Sequence, residues 1–392
     1  MKVCGIIAEY DPFHKGHAWQ IKQAKEKSGA DYIICVMSMS FTQRGMPALL
    51  CPHDRAHMAL QGGADLVLGV PYAFSVCDAE KFALGGVEIL RRCGIVNALS
   101  FGIEESGFDC FSDIAGLLDN PPPSYLEELH RNLQQGLSFP RAQGEALANA
   151  LQIDADVFSL PNTSLAVCYA RAAAQTKADF SLYPVVRKGN YHDAALKDDD
   201  AAFSSASAIR AAIQAEDWTA VKSALPDYSY EILLKAKREN RLQRYQPLDS
   251  LLRWRLRNDA FDRLPDCSEG IENRFRDAAN AATRDEMVLA VKTKRYTYAR
   301  INRLMAHVLT QTNKSDIPVL PEYAYILGCK KHAMHLLHEI AENGLPLYHR
   351  LPSGNLSSML ELDRKADDLW AIGAQISFGT LHRAKPIILS DV

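Results

Sequence analysis

Two histidines near the amino terminus, His14 and His17, are the residues whose type and spacing most directly suggest chemistry. Lys15 and Gly16 separate them, and they follow a short apolar run, Val3–Ala8, of the kind that forms a buried parallel strand. A helical pattern begins at His17, so we expect both imidazoles on the first turn of a helix. Free N–H groups and a partial positive charge at such a position attract phosphate.

Nucleotidyl transfer is the reaction that this arrangement suits. Both imidazoles could donate hydrogen bonds to the same oxygens of an α-phosphate, where charge builds as pyrophosphate leaves. Gly16 would leave space for a flat base or a ribose. A His-x-Gly-His sequence is a weak signal by itself, and the alternative is that His14 and His17 are ordinary surface or capping residues.

The elements that must position these residues form an alternating pattern. Apolar runs at 32–37, 64–70, 98–101 and 181–186 predict further strands, and helical patterns at 54–62, 79–93 and 164–176 lie between them. Such alternation predicts an α/β fold with a doubly wound, Rossmann-like parallel sheet. Ligands of such sheets bind at the carboxyl ends of the strands, and the loops after the first, second and fourth strands leave at that edge.

A second phosphate-binding position is predicted where another helix begins. Ser205 and Ser207 stand at the start of that helix, with Arg210 one turn further on. Hydroxyl and N–H groups at a helix start, followed by a guanidinium group, are suited to hold phosphate oxygens. Arg187, directly after the fifth predicted strand, would add a further cation.

No metal site is predicted from the sequence. The carboxylate run at 198–200 is typical of a solvated loop. His332, His335 and His338 are spaced to share one stripe of a helix, but the sequence identifies neither a fourth ligand nor acidic partners for them. We therefore interpret these three histidines as a polar helix face.

Composition predicts a globular protein without a membrane span. The chain has 392 residues, 47% of them hydrophobic and 23% charged, which predicts about two domains. Its apolar runs are shorter than the ~18–20 residues of a membrane span. The first strand begins almost at once, which leaves no room for a signal peptide. Nine scattered cysteines without a Cys-x-x-Cys pair indicate buried reduced thiols and a cytoplasmic protein.

The second part of the chain differs from the first in pattern and in charge. From about residue 226 the strand pattern disappears, so we predict a nucleotide-binding domain at 1–225 and a mostly α-helical domain at 226–392. Residues 230–303 contain 17 Lys or Arg against 11 Asp or Glu, whereas the remainder contains 27 against 36. This basic segment predicts a polyanionic partner, and a salt-bridged helical surface is the alternative.

Motifs along almost the whole chain are similar to those of one family. They lie at 9–17 (Glu-Tyr-Asp-Pro-Phe-His-Lys-Gly-His), 43–48, 63–67, 101–106, 161–162, 187–192, 205–210, 269–274, 292–297 and 364–367. In these motifs the chain resembles the tRNA(Met) cytidine acetate ligases, members of the HIGH-type nucleotidyltransferase superfamily. The first motif is shared by many nucleotidyltransferases, whereas the Lys-Thr-Lys-Arg-Tyr-Thr sequence at 292–297 is far more specific.

The resemblance implies ATP-dependent activation of acetate. An acetate oxygen would attack the α-phosphate of ATP, giving acetyl-adenylate and pyrophosphate, and Mg²⁺ would accompany the triphosphate. The exocyclic N4 of the wobble cytidine of elongator tRNA(Met) would then take the acetyl group, giving N4-acetylcytidine. Nothing in the sequence resembles a coenzyme A site, which fits free acetate as the donor.

Particular residues carry the implied first step. His14 and His17 would stabilise the α-phosphate in transit, and Lys15, the third implied catalytic residue, would help to neutralise the leaving pyrophosphate with Arg187 and Arg210. The predicted ATP-binding residues, including the second phosphate position, are Ile7, Ala8, Glu9, Tyr10, Asp11, Pro12, Phe13, His14, Lys15, Gly16, His17, Ala18, Trp19, Gln20, Gly102, Asn162, Arg187, Ser205, Ser207 and Arg210.

The implied second step needs a surface for tRNA. Cations offer phosphate contacts, and tyrosines between them, including Tyr298, offer a stacking surface. A flipped-out base must also reach the adenylate. The predicted tRNA-binding residues are Lys292, Lys294, Arg295, Tyr296, Arg300 and Arg303.

Three positions depart from the family pattern. Met39 replaces a glycine, Cys51-Pro52 replaces an acidic–basic pair, and Gly69 replaces a glutamate. We expect all three in loops that face the site, where Met39 would narrow it. The alternative functions are a nucleotidyltransferase that adenylylates another small acceptor and a tRNA-binding protein without catalysis. Pyrophosphate exchange into ATP, tested with and without acetate, would separate them.

Overall fold

One mixed sheet organises the chain. The computed structural model describes residues 1–104, 110–187, 203–268, 270–293 and 295–390. Its strands are β1 (Val3–Ala8), β2 (Tyr32–Ser38), β3 (Leu66–Val70), β4 (Ala98–Ile103), β5 (Ser181–Val186), β6 (Ala324–Lys330), β7 (Leu347–Tyr348) and β8 (Ile387–Leu389). They are ordered β5-β4-β1-β2-β3-β6-β7, with β8 paired to β6.

Helices cover the sheet and form most of the second half of the chain. They are α1 (Lys15–Ser28), α2 (Pro52–Gln61), α3 (Tyr72–Ser75), α4 (Ala79–Arg92), α5 (Phe111–Asp119), α6 (Pro123–Gln134), α7 (Phe139–Leu151), α8 (Asp156–Ser159), α9 (Pro161–Gln175), α10 (Ala206–Gln214), α11 (Trp218–Ala224), α12 (Asp227–Arg238), α13 (Asp249–Asn258), α14 (Ile271–Ala278), α15 (Arg284–Val291), α16 (Tyr298–Thr310), α17 (Met334–Glu342) and α18 (Ser358–Gly373). Among the described residues, none of these helices combines the length and apolarity needed to cross a membrane.

The five strands predicted from the first half of the chain form the parallel part of the sheet. β1 pairs with β2 and β4, β2 with β3, and β4 with β5, all in parallel. β1, β2 and β3 are almost entirely buried, as expected for strands covered by helices on both faces. The predicted doubly wound α/β arrangement is confirmed.

The expectation that strands end near residue 226 is wrong. β6 pairs antiparallel with β3, and β7 and β8 pair with β6. β6 is a seven-residue run of apolar and polar residues, and its partner strand, β3, lies more than 250 residues earlier in the chain. A run of that length can be a strand or part of a helix, and only the long-range pairing decides. The chain after 226 is still mostly helical, and the domain boundary at 225 stays a prediction.

The loop after β2 joins the sheet to the C-terminal helices. Gly45 has φ +78°, and a Cβ there would lie 2.5 Å from the backbone nitrogen of Arg303 on α16. This glycine therefore allows direct backbone contact between the loop and the helix. From α18, the indole N–H of Trp370 donates to the carbonyl oxygen of Ala48 at 2.7 Å. Both contacts hold the C-terminal helices over the carboxyl edge of the sheet.

All nine cysteines are free thiols. Seven are buried, and Cys110 and Cys168 are partly buried. Burial raises the pKa of the thiols of Cys35, Cys51 and Cys93 to about 12. These thiols remain protonated at neutral pH and behave as small apolar side chains, as the sequence indicated.

Candidate active site

A large cleft lies at the carboxyl edge of β1, β4 and β5. Its volume is about 1720 Å³. Loops and helices of the first half form one wall, and residues on or beside α12, α13, α15 and α16 form the other. Small-molecule sites typically measure roughly 300–1,000 Å³, so this cleft can hold a nucleotide together with a second reactant.

Most of the predicted ATP-binding residues line this cleft. Those that do are Ile7, Ala8, Glu9, Tyr10, Asp11, His14, Gly16, His17, Trp19, Gln20, Gly102, Asn162, Arg187, Ser205, Ser207 and Arg210. They come from the β1–α1 joint, the ends of β4 and β5, and the first turns of α9 and α10. The fold thus brings together residues that are as far as 200 positions apart in the sequence.

His14 and His17 stack on each other at the start of α1. Their ring centroids are 3.7 Å apart, with 22° between the ring planes. His14 is the N-cap residue, and its Nδ1 accepts a hydrogen bond from the backbone N–H of Gly16 at 3.1 Å. The Nδ1 of His17 accepts from the backbone N–H of His14 at 3.2 Å. The two histidines are therefore capping residues and cleft residues at the same time.

These hydrogen bonds define the tautomer and the charge of both rings. A neutral imidazole whose Nδ1 accepts carries its proton on Nε2, so each ring keeps one Nε2–H donor. Burial, helped by the charges of Arg187 and Arg210, lowers the pKa of His14 to about 3. Burial and the neighbouring His14 hold the pKa of His17 well below its ordinary value. Both rings are therefore neutral hydrogen-bond donors at neutral pH.

Gly16 has a structural role besides the one expected. A Cβ at this position would lie 2.9 Å from Cε1 of His14 and 3.3 Å from Cβ of Phe203. Two side chains thus lie close to Gly16, and the glycine lets the His14 ring lie against the first turn of α1. Because Gly16 also lines the cleft, its contact with a base or ribose stays a prediction.

Asp11 and Arg210 hold the second phosphate position to the first. Asp11 is 6% exposed, and its carboxylate accepts from the backbone N–H of Leu49 at 2.7 Å and pairs with Arg210 at 3.3 Å. The Arg210 guanidinium also donates to the Asp11 carbonyl oxygen at 2.6 Å and to Oγ of Ser207 at 3.2 Å. Ser205 caps α10, with its Oγ accepting from the backbone N–H of Ala208 at 3.2 Å. Arg210 is thereby fixed in the cleft with donors still directed outward.

Glu104 is a functional-site residue that the sequence analysis did not assign. Its carboxylate accepts from the backbone N–H groups of Asn162 and Thr163 at 2.8 and 2.9 Å, and from both side chains at 2.7 and 2.9 Å. It thus caps α9 and fixes the Asn162 amide, whose Oδ1 stays available in the cleft. Two features of the sequence could have identified Glu104. One is a carboxylate directly after a strand, and the other is a later helix that begins with Pro-Asn-Thr and offers free N–H groups.

Gly102 borders open space in the cleft. The nearest atom to a Cβ built at this position is Cγ of Arg187, 3.8 Å away. Protein packing therefore does not require a glycine here. A ligand that approaches the backbone closely would require one, which agrees with the predicted nucleotide contact.

Glu9 places a partly buried carboxylate in the lining of the cleft. Its Oε1 accepts from the backbone N–H of Gln43 at 2.5 Å. Burial raises the pKa of Glu9, and the charge of Asp11 raises it further, while Gln43 N–H, Arg44 and Arg210 act in the opposite direction. A carboxylate with a raised pKa in a cleft can accept a proton from a substrate near neutral pH.

Four predicted residues lie outside the cleft lining, namely Pro12, Phe13, Lys15 and Ala18. Phe13 is fully buried, with its ring centroid 4.9 Å from that of Tyr10 and 5.6 Å from that of His17. The Phe13 ring thus packs against the ring of His17. Lys15 is exposed at the first position of α1, so the structure does not bring its ammonium group to the cleft, and a catalytic role for it stays a prediction.

The predicted tRNA-binding residues are divided between the surface and the cleft. Arg295 is exposed, Lys292 lies 5.1 Å over the ring of Tyr298, and Arg300 donates to the Asp266 carbonyl oxygen at 3.1 Å. Lys294 lies outside the described residues. Tyr298 is 53% exposed and can offer a stacking surface.

Two members of this set are placed differently from the expectation. Tyr296 is 5% exposed because its ring belongs to the core, so the prediction that it stacks on a base is wrong. Arg303 is 9% exposed and lines the cleft itself rather than the outer surface. Within the described chain its Nε has no hydrogen-bond partner.

The three departures from the family pattern do not line the cleft. Met39 is 9% exposed, and a Cβ on Gly69 would lie 2.3 Å from its sulfur. Met39 thus fills the space that Gly69 leaves, and the expectation that it narrows the site is wrong. Cys51 caps α2 and packs on Trp370. These substitutions alter core packing behind the site.

No cluster of three or more potential metal ligands occurs among the described residues. Magnesium is commonly bound by one or two carboxylates and the phosphates of its nucleotide, and keeps several waters. The cleft fits that pattern, since it offers single carboxylates such as Glu9 and Asp11 rather than a cage. Its residues can accept a magnesium ion that arrives with a triphosphate.

Comparisons with known proteins agree with this geometry. A family model described as HIGH Nucleotidyl Transferase matches residues 1–382. A Clostridium perfringens protein named tRNA(Met) cytidine acetate ligase is 32% identical, covering 99% of this chain and 100% of its own. One of the same name from Fervidobacterium nodosum is 34% identical, covering 88% of this chain and 82% of its own. The crystal structure of Thermotoga maritima TmcAL bound with alpha-thio ATP matches with a TM-score of 0.90 and 29% identity over 100% of both chains.

Proposed function

Because the chain belongs to the tRNA(Met) cytidine acetate ligase family of HIGH nucleotidyltransferases, we propose that it activates acetate with ATP and acetylates elongator tRNA(Met). In the first step a carboxylate oxygen of acetate attacks the α-phosphorus of ATP. A P–O bond to acetate forms, the bond to pyrophosphate breaks, and acetyl-adenylate remains. In the second step N4 of the wobble cytidine attacks the acetyl carbon, AMP leaves, and N4-acetylcytidine is formed.

The observation that carries this proposal is the pair of neutral imidazoles at the start of α1. Since both Nδ1 atoms are engaged with backbone N–H groups, the two Nε2–H donors have fixed directions before substrate binds. Negative charge grows on the α-phosphate oxygens during the transfer, and prearranged donors stabilise that charge most when they need not reorient. The N-terminus of α1 adds its partial positive charge at the same place.

Arg210 and Arg187 would hold the other end of the triphosphate. Arg210 is fixed by Asp11 and Ser207, and both arginines line the cleft. Their charges would oppose the negative charge of the leaving pyrophosphate. A magnesium ion bound with ATP would neutralise further phosphate charge. Asp11 keeps the Arg210 guanidinium in place, since its carboxylate lies 3.3 Å away.

The second step requires an acceptor for one proton of the N4 amine. Glu9 is the residue we propose for it, because its carboxylate lies in the cleft beside the histidines and burial raises its pKa. As the C–N bond forms and the bond to AMP breaks, the proton would pass from N4 to Glu9. The cleft volume of about 1720 Å³ leaves room for a flipped-out base beside the adenylate. With ATP and a tRNA as substrates, the proposed location is the cytoplasm.

Nucleoside analysis tests the whole proposal in one experiment. Elongator tRNA(Met) is incubated with the protein, ATP and carbon-13-labelled acetate, then digested and analysed by mass spectrometry. Labelled N4-acetylcytidine at the wobble position is the expected product, and it should not form without ATP. Labelled acetyl-coenzyme A in place of acetate is the control and should give no labelled product. Absence of product with free acetate, although the protein binds ATP and tRNA, would overturn the proposal.

A further inference from the structure

An exposed tryptophan lies between two arginines on α13. Trp254 is 59% exposed, although tryptophan is one of the residues that proteins bury most fully on average. Its exposed neighbours Arg253 and Arg257, together with Ser250, complete a stripe at positions i, i+3, i+4 and i+7 of the helix. The opposite face of α13 is buried through Leu252 and Leu256. Packing of the protein itself therefore does not explain the aromatic ring on the outer face.

The two arginines of α13 that flank this ring on the outer face make no charge contact within the described chain. Among the described residues, neither Arg253 nor Arg257 has an ion pair or a side-chain hydrogen bond. By contrast, Arg255 on the inner side of α13 pairs with Asp259 at 3.1 Å. Arg276 from α14 joins the stripe, since its guanidinium donates to the Arg257 carbonyl oxygen at 3.3 Å. The patch formed by Arg253, Trp254, Arg257 and Arg276, here called the α13 patch, combines an open aromatic face with several cations.

The α13 patch continues directly from the cleft. Asp249, at the first position of α13, lines the cleft, and Arg253 is the next residue on the same helix face. With a rise of 1.5 Å per residue, the two lie about 6 Å apart along the helix axis. Trp254 is one residue further on. The α13 patch is therefore adjacent, along α13, to a residue of the cleft lining.

We propose that the α13 patch binds an unpaired segment of the substrate tRNA, with a base stacked on Trp254 and phosphates bound by Arg253 and Arg257. This inference rests on the proposed function. Single-stranded RNA is bound by aromatic rings that stack on bases and by cations that follow the backbone. The patch has both, and it lies outside the tRNA-binding residues predicted from the sequence.

Charge favours RNA over a protein partner as the occupant. The exposed stripe of α13 carries two arginines, and Asp249, the acidic residue on the same helix face, is partly buried at the cleft. An interface with a second copy of this chain would bring these arginines against their own equivalents if it were two-fold symmetric, and like charges would repel. RNA supplies the complementary charge at every nucleotide.

Binding of tRNA(Met) by Trp254→Ala, Trp254→Phe and Arg253→Ala/Arg257→Ala tests the inference. Affinities are measured by fluorescence anisotropy at several salt concentrations. Trp254→Ala removes one stacking contact with a base, so its affinity for tRNA should be about 5- to 150-fold lower than that of the wild type. Trp254→Phe should keep most of the wild-type affinity, because phenylalanine can also stack. The double arginine variant should lower the slope of log affinity against log salt by about 1.4, at about 0.7 for each phosphate contact.

Matched controls come from residues of similar exposure elsewhere. Phe378 is 61% exposed but has Ser377 and Gly379 as neighbours, so Phe378→Ala should bind tRNA like the wild type. Arg263, whose side chain is 82% exposed, serves in the same way for the arginines. Stacking should also quench Trp254 fluorescence when tRNA is added. That quenching should be smaller in Trp254→Phe, in which the remaining tryptophans are the buried Trp370 and the cleft residues Trp19 and Trp218.

The outcomes separate this inference from the proposed function. If Trp254→Ala binds tRNA with wild-type affinity while the wild type acetylates it, the inference is wrong and the function stands. If the wild type neither binds nor acetylates tRNA, both are wrong. If Trp254→Ala instead changes the sedimentation coefficient of the free protein, the patch is a contact between copies of the chain, and the inference is also overturned.

Discussion

The start of α1 and the α13 patch would bind phosphate-bearing partners in opposite ways. At α1, His14 and His17 are buried, stacked and neutral, and their donors are fixed by backbone hydrogen bonds. On α13, Arg253 and Arg257 are charged and exposed, and their side chains are free to move. Burial removes mobility and solvent screening, which suits charge that exists only in a transition state. Exposed charges suit a long polyanion that must bind and then dissociate. Salt screens these charges, so the affinity they provide depends on ionic strength.

This contrast teaches that net charge is a poor guide to where phosphate chemistry occurs. The basic segment of the sequence, residues 230–303, supplies many of the exposed cations of the described chain, but the proposed reaction centre carries uncharged rings. Arg210, the cation fixed beside those rings, is paired with Asp11. Variants at the start of α1 should therefore lose catalytic rate, whereas variants of the exposed cations should lose affinity for RNA.

Replacement of His14 or His17 by alanine should have the largest effect. Each change removes one fixed donor, which typically costs about 10²- to 10³-fold in rate. Acetate-dependent exchange of labelled pyrophosphate into ATP measures the loss. Affinity for tRNA should stay near the wild-type value. His338→Ala is the control, because that side chain is 79% exposed and remote from the cleft. If the histidine variants stayed folded but also lost tRNA binding, the start of α1 and the RNA-binding surface would not act independently.

Glu9→Gln should affect the second step more than the first. Glutamine can still accept from the Gln43 N–H, but it cannot take a proton, so acetyl transfer should slow by about 10²-fold, at the lower end of general-base effects. Pyrophosphate exchange should persist. In the wild type, transfer should decline as pH falls through the raised pKa of Glu9, because only the ionised carboxylate accepts the proton. Single-turnover transfer from preformed acetyl-adenylate measures this, and an unchanged pH profile in Glu9→Gln would argue against the assignment.

Lys292→Ala/Arg295→Ala should act on RNA binding alone. Two lost phosphate contacts should reduce the slope of log affinity against log salt by about 1.4. Exchange activity should not change, since neither residue lines the cleft. Salt titrations of tRNA binding provide the measurement, with Lys22→Ala on α1 as a control whose side chain is 68% exposed. An unchanged slope would show that these cations do not contact phosphate.

The buried imidazoles also make stability depend on pH. An unfolded histidine takes up a proton near pH 6.5, whereas folded His14 resists it down to about pH 3. The unfolded state therefore binds more protons between these values, and the free energy of unfolding should fall as pH decreases through that window. Urea unfolding at a series of pH values should show a shallower decline for His14→Ala. If the free energy of unfolding fell equally steeply with pH in the wild type and in His14→Ala, His14 would not contribute to the pH dependence of stability.

Met39→Ala should have the smallest effect on activity. Truncation of a buried methionine leaves a cavity, so the free energy of unfolding should fall by about 2–5 kcal/mol. The KM for ATP should not change, because Met39 lies against Gly69 and not in the cleft. Met46, which does line the cleft, provides the contrast, since Met46→Ala should change KM more than stability. A large KM change in Met39→Ala would restore the expectation that Met39 shapes the site.

Much of the reaction centre could be predicted because its signals are local. β1, the turn into α1 and the two histidines occupy one short stretch, and strand–helix alternation placed β2 to β5 at nearly their observed bounds. Ser205, Ser207 and Arg210 were found for the same reason, since a helix start and a residue one turn later can be read in a single segment.

The remaining features depend on contacts between distant segments. Glu104 acts through the N-terminus of α9, 58 residues later. Tyr296 is buried only because of how the segment before α16 meets its neighbours, and Met39 is explained only by the space beside Gly69. β6 is a strand because β3 offers an open edge. Sequence periodicity describes one element at a time, so it does not contain these partners.

The antiparallel pairing of β6 with β3 has a consequence for any attempt to divide the chain. A fragment ending at residue 225 would lose β6 and leave the N–H and C=O groups of β3 without partners along an apolar edge. Exposed edges of that kind promote aggregation. The proposed nucleotide-binding segment is therefore completed, as a folded body, by residues synthesised about 100 positions after it. We expect ATP binding to arise only once nearly the whole chain has been made.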